Sequence, residues 1–265
     1  MTRPLPLLAA LLCATSALAE GLPDGPLAQA RILGGWRAGD GSHVAALEIT
    51  MPEGWHTYWR APGEVGIPPL FDWSGSEGVR RVSVSWPVPQ VFEDGGVRSY
   101  GYETRVVLPL RVELAPGATP HLALSGDIGV CKDICVPATI RAEGTLPAPG
   151  ARSGAIAGAL ADRPMTAAEA GASARCRIAP APDGLRVEAE LTLSDTGGRE
   201  AVVIESANPL HWVSAPETTR SGDRMTLRAE VAHVEGRPVA LDRSGLRFTV
   251  LGSHRAVDIR GCTAF

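Results

Sequence analysis

This sequence predicts an all-β protein: two immunoglobulin-like β-sandwich domains joined by an Ala/Gly/Pro-rich linker. Three observations carry that expectation. Apolar and polar residues alternate with period two in many short runs, Gly- and Pro-containing turns separate the runs, and helical periodicity is absent up to residue 147. From Pro147 to about Ser173 the composition shifts to Ala, Gly, Ser and Pro, and a second set of strand-like runs follows. The expected division is a signal peptide at 1–19, a first domain at 20–147, a linker at 148–174 and a second domain at 175–265. The remaining chain of about 245 residues is enough for two cores.

Met1 to Ala19 has one basic residue, Arg3, an apolar run from Leu5 to Leu12, and a small-x-small end at Ala17-Leu18-Ala19, the pattern of a secretory signal. Cys13 lies inside that run after Leu12 and is expected to leave with it. No later stretch is long and apolar enough to span a bilayer, so the mature chain, starting near Glu20, is expected to be soluble, periplasmic and in an oxidising compartment. With 25 basic and 29 acidic residues, a formal charge of -4 and no block of like charge, neither nucleic acid nor an anionic membrane is the expected partner.

His43 to Met51 alternates as a half-buried strand, with Val44, Ala46 or Leu47, Ile49 and Met51 as the apolar set, and Pro52-Glu-Gly54 turns the chain. Gly54-Trp-His-Thr-Tyr-Trp-Arg60 is dense in aromatics. Trp55 and Trp59 share one parity on a strand and His56 and Tyr58 the other, so one pair belongs to the core and the other is available to a site. Ala61 to Pro69, rich in Gly and Pro, reads as an ordered loop. Leu70 to Trp73, Val79 to Trp86 and Thr104 to Leu114 supply more strands; Trp86 to Gly96 is turn-rich, and Tyr100-Gly-Tyr102 leads into the next run. His121 to Ser125 and Val136 to Glu143 flank Gly126-Asp-Ile-Gly-Val-Cys-Lys-Asp-Ile-Cys-Val-Pro137.

A disulfide between Cys131 and Cys135 closes so short a loop that the chain-entropy model credits it with about 2 kcal/mol before strain. Stability is a weak reason for it, and a small ring tends to be easily reduced, which suits a redox-active bond. Two other readings stay open: a plain hairpin staple, and half of a soft-metal site for Cu(I), with His56 or Met51 nearby. Lys132, the sole lysine, lies between the cysteines. It reads either as a solvated turn residue or as a cation that favours thiolate, opposed by Asp133.

In the linker a short helix is expected around Ala155 to Ala161, and Thr166-Ala-Ala-Glu169 fits a capping box. Beyond it Cys176 to Ile178, Leu185 to Leu193, Glu200 to Glu205, Met225 to Val231 and Leu246 to Leu251 read as strands. Cys176 and Cys262 bracket this domain; a disulfide between them closes about 87 residues, worth about 4.6 kcal/mol in the same model, and looks structural. The histidines show no H-x-x-x-H-type pair for zinc. No hydrolase elbow, zincin motif or phosphate-cradling loop occurs, and no cofactor is expected.

The order and spacing of Gly54-Trp-His-Thr-Tyr-Trp-Arg60, Trp86-Pro-Val-Pro-Gln90, Tyr100-Gly-Tyr-Glu103, Val107-Leu-Pro-Leu110 and Val130-Cys-Lys-Asp-Ile-Cys-Val-Pro137 resemble a known family. It is the N-terminal periplasmic domain of the thiol:disulfide interchange protein DsbD, with its copper-sensitivity relatives of the ScsB type, over roughly residues 30 to 147. The resemblance implies an immunoglobulin-like fold whose cysteine pair, here Cys131 and Cys135, takes electrons from a membrane protein and passes them to periplasmic thioredoxin-fold proteins. It also implies that Cys135, the second of the pair, forms the mixed disulfide. Tyr58 matches an aromatic near the pair, and His56 stands where the family often has tyrosine. The family's membrane channel and C-terminal thioredoxin-like domain have no counterpart here, so a separate membrane electron-transfer protein is expected. Its aromatic cap falls near Gly95-Gly96-Val97, which has no aromatic, leaving Phe92 and Tyr100 as the candidates for that place.

Overall fold

The computed structural model describes residues 25–117 and 119–265; the expected signal peptide, with Cys13 and the cleavage site, lies outside the described residues. The first sandwich is built from β1 (Gln29–Arg37), β2 (His43–Thr50), β3 (His56–Gly63), β4 (Leu70–Asp72), β5 (Val79–Val84), β6 (Gln90–Asp94), β7 (Val97–Glu103), β8 (Arg105–Leu114), β9 (His121–Cys131) and β10 (Cys135–Thr145). One sheet has the order β1-β2-β8-β5; the other runs β10-β9-β3-β7-β6, with β4 also paired to β9. Ala45, Leu47 and Ile49 of one sheet face Trp59, Tyr100, Leu122, Leu124, Ile128 and Val130 of the other. Alternation has put one residue in two on the inner side of each strand.

Strand β2 is buried along nearly its whole length, because its second face is covered as well. Val44 and Ala46, expected with the inner set, lie on that other face beneath helix α1 (Gly154–Ala161), packed with Val107 and the fully buried Ile156. Burying an isoleucine side chain contributes about 2 kcal/mol, which holds the helix on the sheet. Chain entering that helix is also bound to β1: Arg37 N–H donates to Pro149 C=O and Ala151 N–H to Gly35 C=O.

After α1 come β11 (Met165–Thr166) and α2 (Ala167–Ala170), where Thr166 and Glu169 form the capping box and Gly171 ends the turn in the left-handed region at φ 61°. The second sandwich continues with β12 (Ser173–Ala181), β13 (Gly184–Thr192), β14 (Ala201–Ser206), β15 (His211–Val213), β16 (Glu217–Ser221), β17 (Arg224–His233), β18 (Leu246–Leu251), β19 (Ala256–Arg260) and β20 (Thr263–Ala264). Its sheets run β11-β19-β18-β14 and β15-β17-β13-β12-β20, with β16 also on β17, around Val187, Leu191, Leu227, Phe248 and Val257.

Strand β14 joins the two sandwiches. Val202 and Ile204 face the second core, while Ala201 and Val203, with Leu251 and Ala256 from the neighbouring strands, belong to the first. Beside this contact Arg60 of β3 donates to both carboxylate oxygens of Glu205, at 3.0 and 2.9 Å, and its guanidinium lies 3.7 Å over the Trp59 ring. Arg247 is bidentate to Asp258 next to it, at 2.6 and 2.8 Å. Arginine's planar fork suits such partly buried pairs. Among the described residues no helix is long and apolar enough to cross a membrane.

Candidate functional site: a disulfide on an edge hairpin

Strands β9 and β10 form a regular antiparallel hairpin in which Cys131 pairs with Cys135 at the turn and Thr145 with His121 at the far end. The turn closes through Lys132 N–H donating to Ile134 C=O at 3.1 Å. The two cysteines are disulfide-bonded, with Cα atoms 4.1 Å apart. Their surroundings differ because their strands do. Strand β9 is flanked on both sides, and Cys131, opposite His56 of β3, is 1% exposed. Strand β10 is the sheet edge, and Cys135 is exposed. An edge is also where a sheet tolerates a proline such as Pro137.

The parity of the aromatic segment resolves in favour of the cysteines. Trp55 and Trp59 enter the core, and His56 and Tyr58 stand on the outer face with Cys131. Tyr58 Oη lies 3.0 Å from Cys131 Sγ and 3.1 Å from Cys135 Sγ. Its ring occupies a slot that only glycines leave open: a Cβ on Gly129 would come within 3.0 Å of the ring and 2.8 Å of Ile67, and one on Gly66 within 2.8 Å of the ring's other edge. Burial raises the Tyr58 pKa above the ordinary phenol value, so the hydroxyl keeps its proton and serves as the donor to sulfur. Buried Thr57 fixes β3 against β9 by donating to Gly129 C=O at 2.8 Å.

His56 meets Tyr58 edge-on, with centroids 5.5 Å apart, and stacks on Phe92 at 4.4 Å. Burial lowers its pKa, and nearby Glu103 offsets part of that shift. Phe92 of β6 thus reaches His56, the cross-strand neighbour of Cys131. Tyr100 instead is 6% exposed in the core against Trp59, because its parity on β7 points inward. Met51 is likewise a core residue, which leaves His56 and the two sulfurs as the soft-metal candidates. Among the described residues no three His, Cys, Asp or Glu side chains are grouped to hold a metal ion. Lys132 is exposed and reaches over Gly54, where an added Cβ would lie 3.6 Å from its Cε.

Sequence reasoning missed the glycine slot. Its signal was present in Ile128-Gly-Val-Cys131, where a glycine two residues before a cysteine leaves the strand's outer face bare beside it. The covering loop at 64–67 belongs to no periodic element and carried no such signal. The second disulfide, Cys176–Cys262, ties β12 to the segment entering β20, with Cys176 fully buried in the second core and Cα atoms 5.7 Å apart.

Residues 29–147 match the family of the N-terminal domain of the thiol:disulfide interchange protein DsbD. The crystal structure of the N-terminal periplasmic domain of ScsB from Proteus mirabilis superposes with a TM-score of 0.66 at 20% identity. That match covers 92% of this chain and 96% of the other, so the likeness of fold runs through both sandwiches. The C-terminal domain of the Streptococcus agalactiae polypeptide BspA matches at 6% identity over 89% of this chain and 99% of that one, with a TM-score of 0.19, and supports nothing further. No curated protein matches.

Proposed function

We propose, from the premise that residues 29–147 are a thiol-disulfide interchange domain of the DsbD N-terminal type, that the chain is a periplasmic carrier of electrons through Cys131 and Cys135. The observation that carries this reading is the asymmetry of the pair: an exposed sulfur on an edge strand bonded to a buried one beneath a protonated tyrosine. A partner thiolate attacks Cys135 Sγ, the Cys131–Cys135 bond breaks, and the electron pair leaves on Cys131 Sγ. Tyr58 O–H donates to that developing thiolate, a charge-assisted bond stronger than the one it makes to a disulfide sulfur. The partner's second thiolate then attacks its own sulfur in the mixed disulfide and releases Cys135. Two electrons and two protons have passed from partner dithiol to this chain, and the reverse sequence delivers them onward.

The partners proposed are thioredoxin-fold proteins on one side and a separate membrane electron-transfer protein on the other. Support comes from the exposed apolar side chains of Val65 and Ile134, one beside Gly66 and the other in the hairpin turn, which a partner could cover. Export by a signal at 1–19, and a division into a redox domain at 20–147 and a second domain at 175–265 across 148–174, belong to the same proposal.

The test is trapping. Cys131→Ala leaves Cys135 without a resolving thiol and should accumulate a mixed disulfide with a thioredoxin-fold protein, whereas Cys135→Ala should give little. The opposite pattern reverses the roles, and no trapping by either variant, with reduced protein holding Cu(I) tightly, replaces the proposal with a copper-binding one.

A further inference from the structure

Hairpin β6–β7 carries Phe92 to the site from the sheet edge opposite β10. Its base is anchored twice: Tyr102 Oη donates to Pro87 C=O at 2.8 Å, and Val88 N–H donates to the C=O of Asp162, the residue that caps α1. Toward its tip, Glu93 accepts from Arg98 on the facing strand at 2.7 Å and pairs at 3.4 Å with Arg199 of the second sandwich. Arg199 stands just before β14, the strand whose Ala201 and Val203 are packed into the first core and whose Glu205 is clamped by Arg60. The hairpin that carries Phe92 is thus tied to an element rooted in the interface between the sandwiches.

Phe92 stacks on His56, and His56 is the cross-strand neighbour of Cys131, not of Cys135. We infer that the second sandwich guards Cys131: Arg199, acting through Glu93, is a positioning residue that keeps Phe92 and His56 closed over the buried sulfur, so that Cys135 is the only point of attack. This rests on the exchange reading for its purpose. A disulfide has two electrophilic sulfurs, and attack at Cys131 would expel Cys135 and bury the partner's sulfur away from the partner's own second thiolate, so that the freed Cys135 could only reverse the step. The guard enforces regiochemistry and leaves the exposed sulfur untouched.

The experiment measures alkylation by iodoacetamide of each cysteine alone, in full-length protein with the other replaced by alanine. In the Cys135→Ala background, Arg199→Ala should speed modification of Cys131 about two- to five-fold, the range expected from losing one partly exposed ion pair. Glu93→Gln should do the same and add nothing when combined with it, Arg199→Lys should restore most of the protection, and Phe92→Ala should exceed all of them. In the Cys131→Ala background Arg199→Ala should leave Cys135 unchanged. Simple loss of a positive charge near a thiol would slow alkylation instead, since it disfavours the thiolate. Unchanged protection of Cys131, slower alkylation, or an equal rise at both cysteines overturns the inference. Because this assay needs no exchange partner, failure of trapping and failure of the guard are separately visible.

Discussion

The two disulfides of this molecule occupy opposite kinds of place. Cys131–Cys135 closes a hairpin whose strands are already paired along their length, so the bond adds little order and leaves one sulfur at an edge. Cys176–Cys262 joins positions separated by 86 residues, with Cys176 fully buried and β20 laid parallel to β12 beside it. A cross-link stabilises in proportion to the freedom it removes from the unfolded chain, and it reacts in proportion to the access it leaves. Both bonds pair a fully buried cysteine with a less buried one, so what distinguishes them is the length of loop closed and the exposure of Cys135 against the half-buried Cys262.

The sharpest way to break that contrast is to remove each bond. Replacing Cys176 and Cys262 by alanine should cost about 4 kcal/mol in urea unfolding, and replacing Cys131 and Cys135 about 2 kcal/mol or less. Equal losses would show that the hairpin bond is structural. The same contrast appears as order of reaction: mild dithiothreitol followed by alkylation should label Cys131 and Cys135 well before Cys176 and Cys262. Next in size is Gly129→Ala, whose methyl group meets both Ile67 and the Tyr58 ring. It should destabilise by about 1–3 kcal/mol and disturb the Cys131–Cys135 hairpin without affecting the second bond.

Tyr58→Phe sharpens the chemistry with less effect on stability. Loss of the hydroxyl bonded to Cys131 Sγ should raise that thiol's pKa by roughly one unit, about ten-fold in thiolate fraction near neutral pH, read from thiolate absorbance in the Cys135→Ala background. An unshifted titration would reduce Tyr58 to a packing role. The smallest effect belongs to His56. Burial holds its folded pKa below the unfolded value of about 6.5, so the unfolded chain takes up the proton first. His56 therefore withdraws stability as pH falls below about 6.5 and has no such effect above it. The slope of stability against pH should be shallower in His56→Gln; His43 and His211 are shifted the same way, so the difference between the two proteins is the measurement.

What could be read from the sequence followed locality. Strand runs, the capping box at Thr166 and the parity of Trp55, His56, Tyr58 and Trp59 are set by neighbours in the chain, and their geometry in the fold matches. Tyr100 and Met51 lie in the first core, and parity alone does not say which face a strand turns inward. The buried second face of β2 came from a helix about a hundred residues later. Strand β14 reads as a continuous apolar run, and only the assembled structure shows that its two faces serve two cores. The pairing of Glu93 with Arg199 spans sequence distances over which periodicity carries no information.

The double-faced β14 also governs how this molecule comes apart. A wall shared by two cores cannot open on one side alone without exposing Ala201 and Val203 to water along with the first core residues they cover. Amide hydrogen exchange in β3 and in β14 should then proceed through the same opening event, with similar protection, although the strands lie in different sandwiches. Two bodies that look separable on the page of a sequence would melt as one cooperative unit.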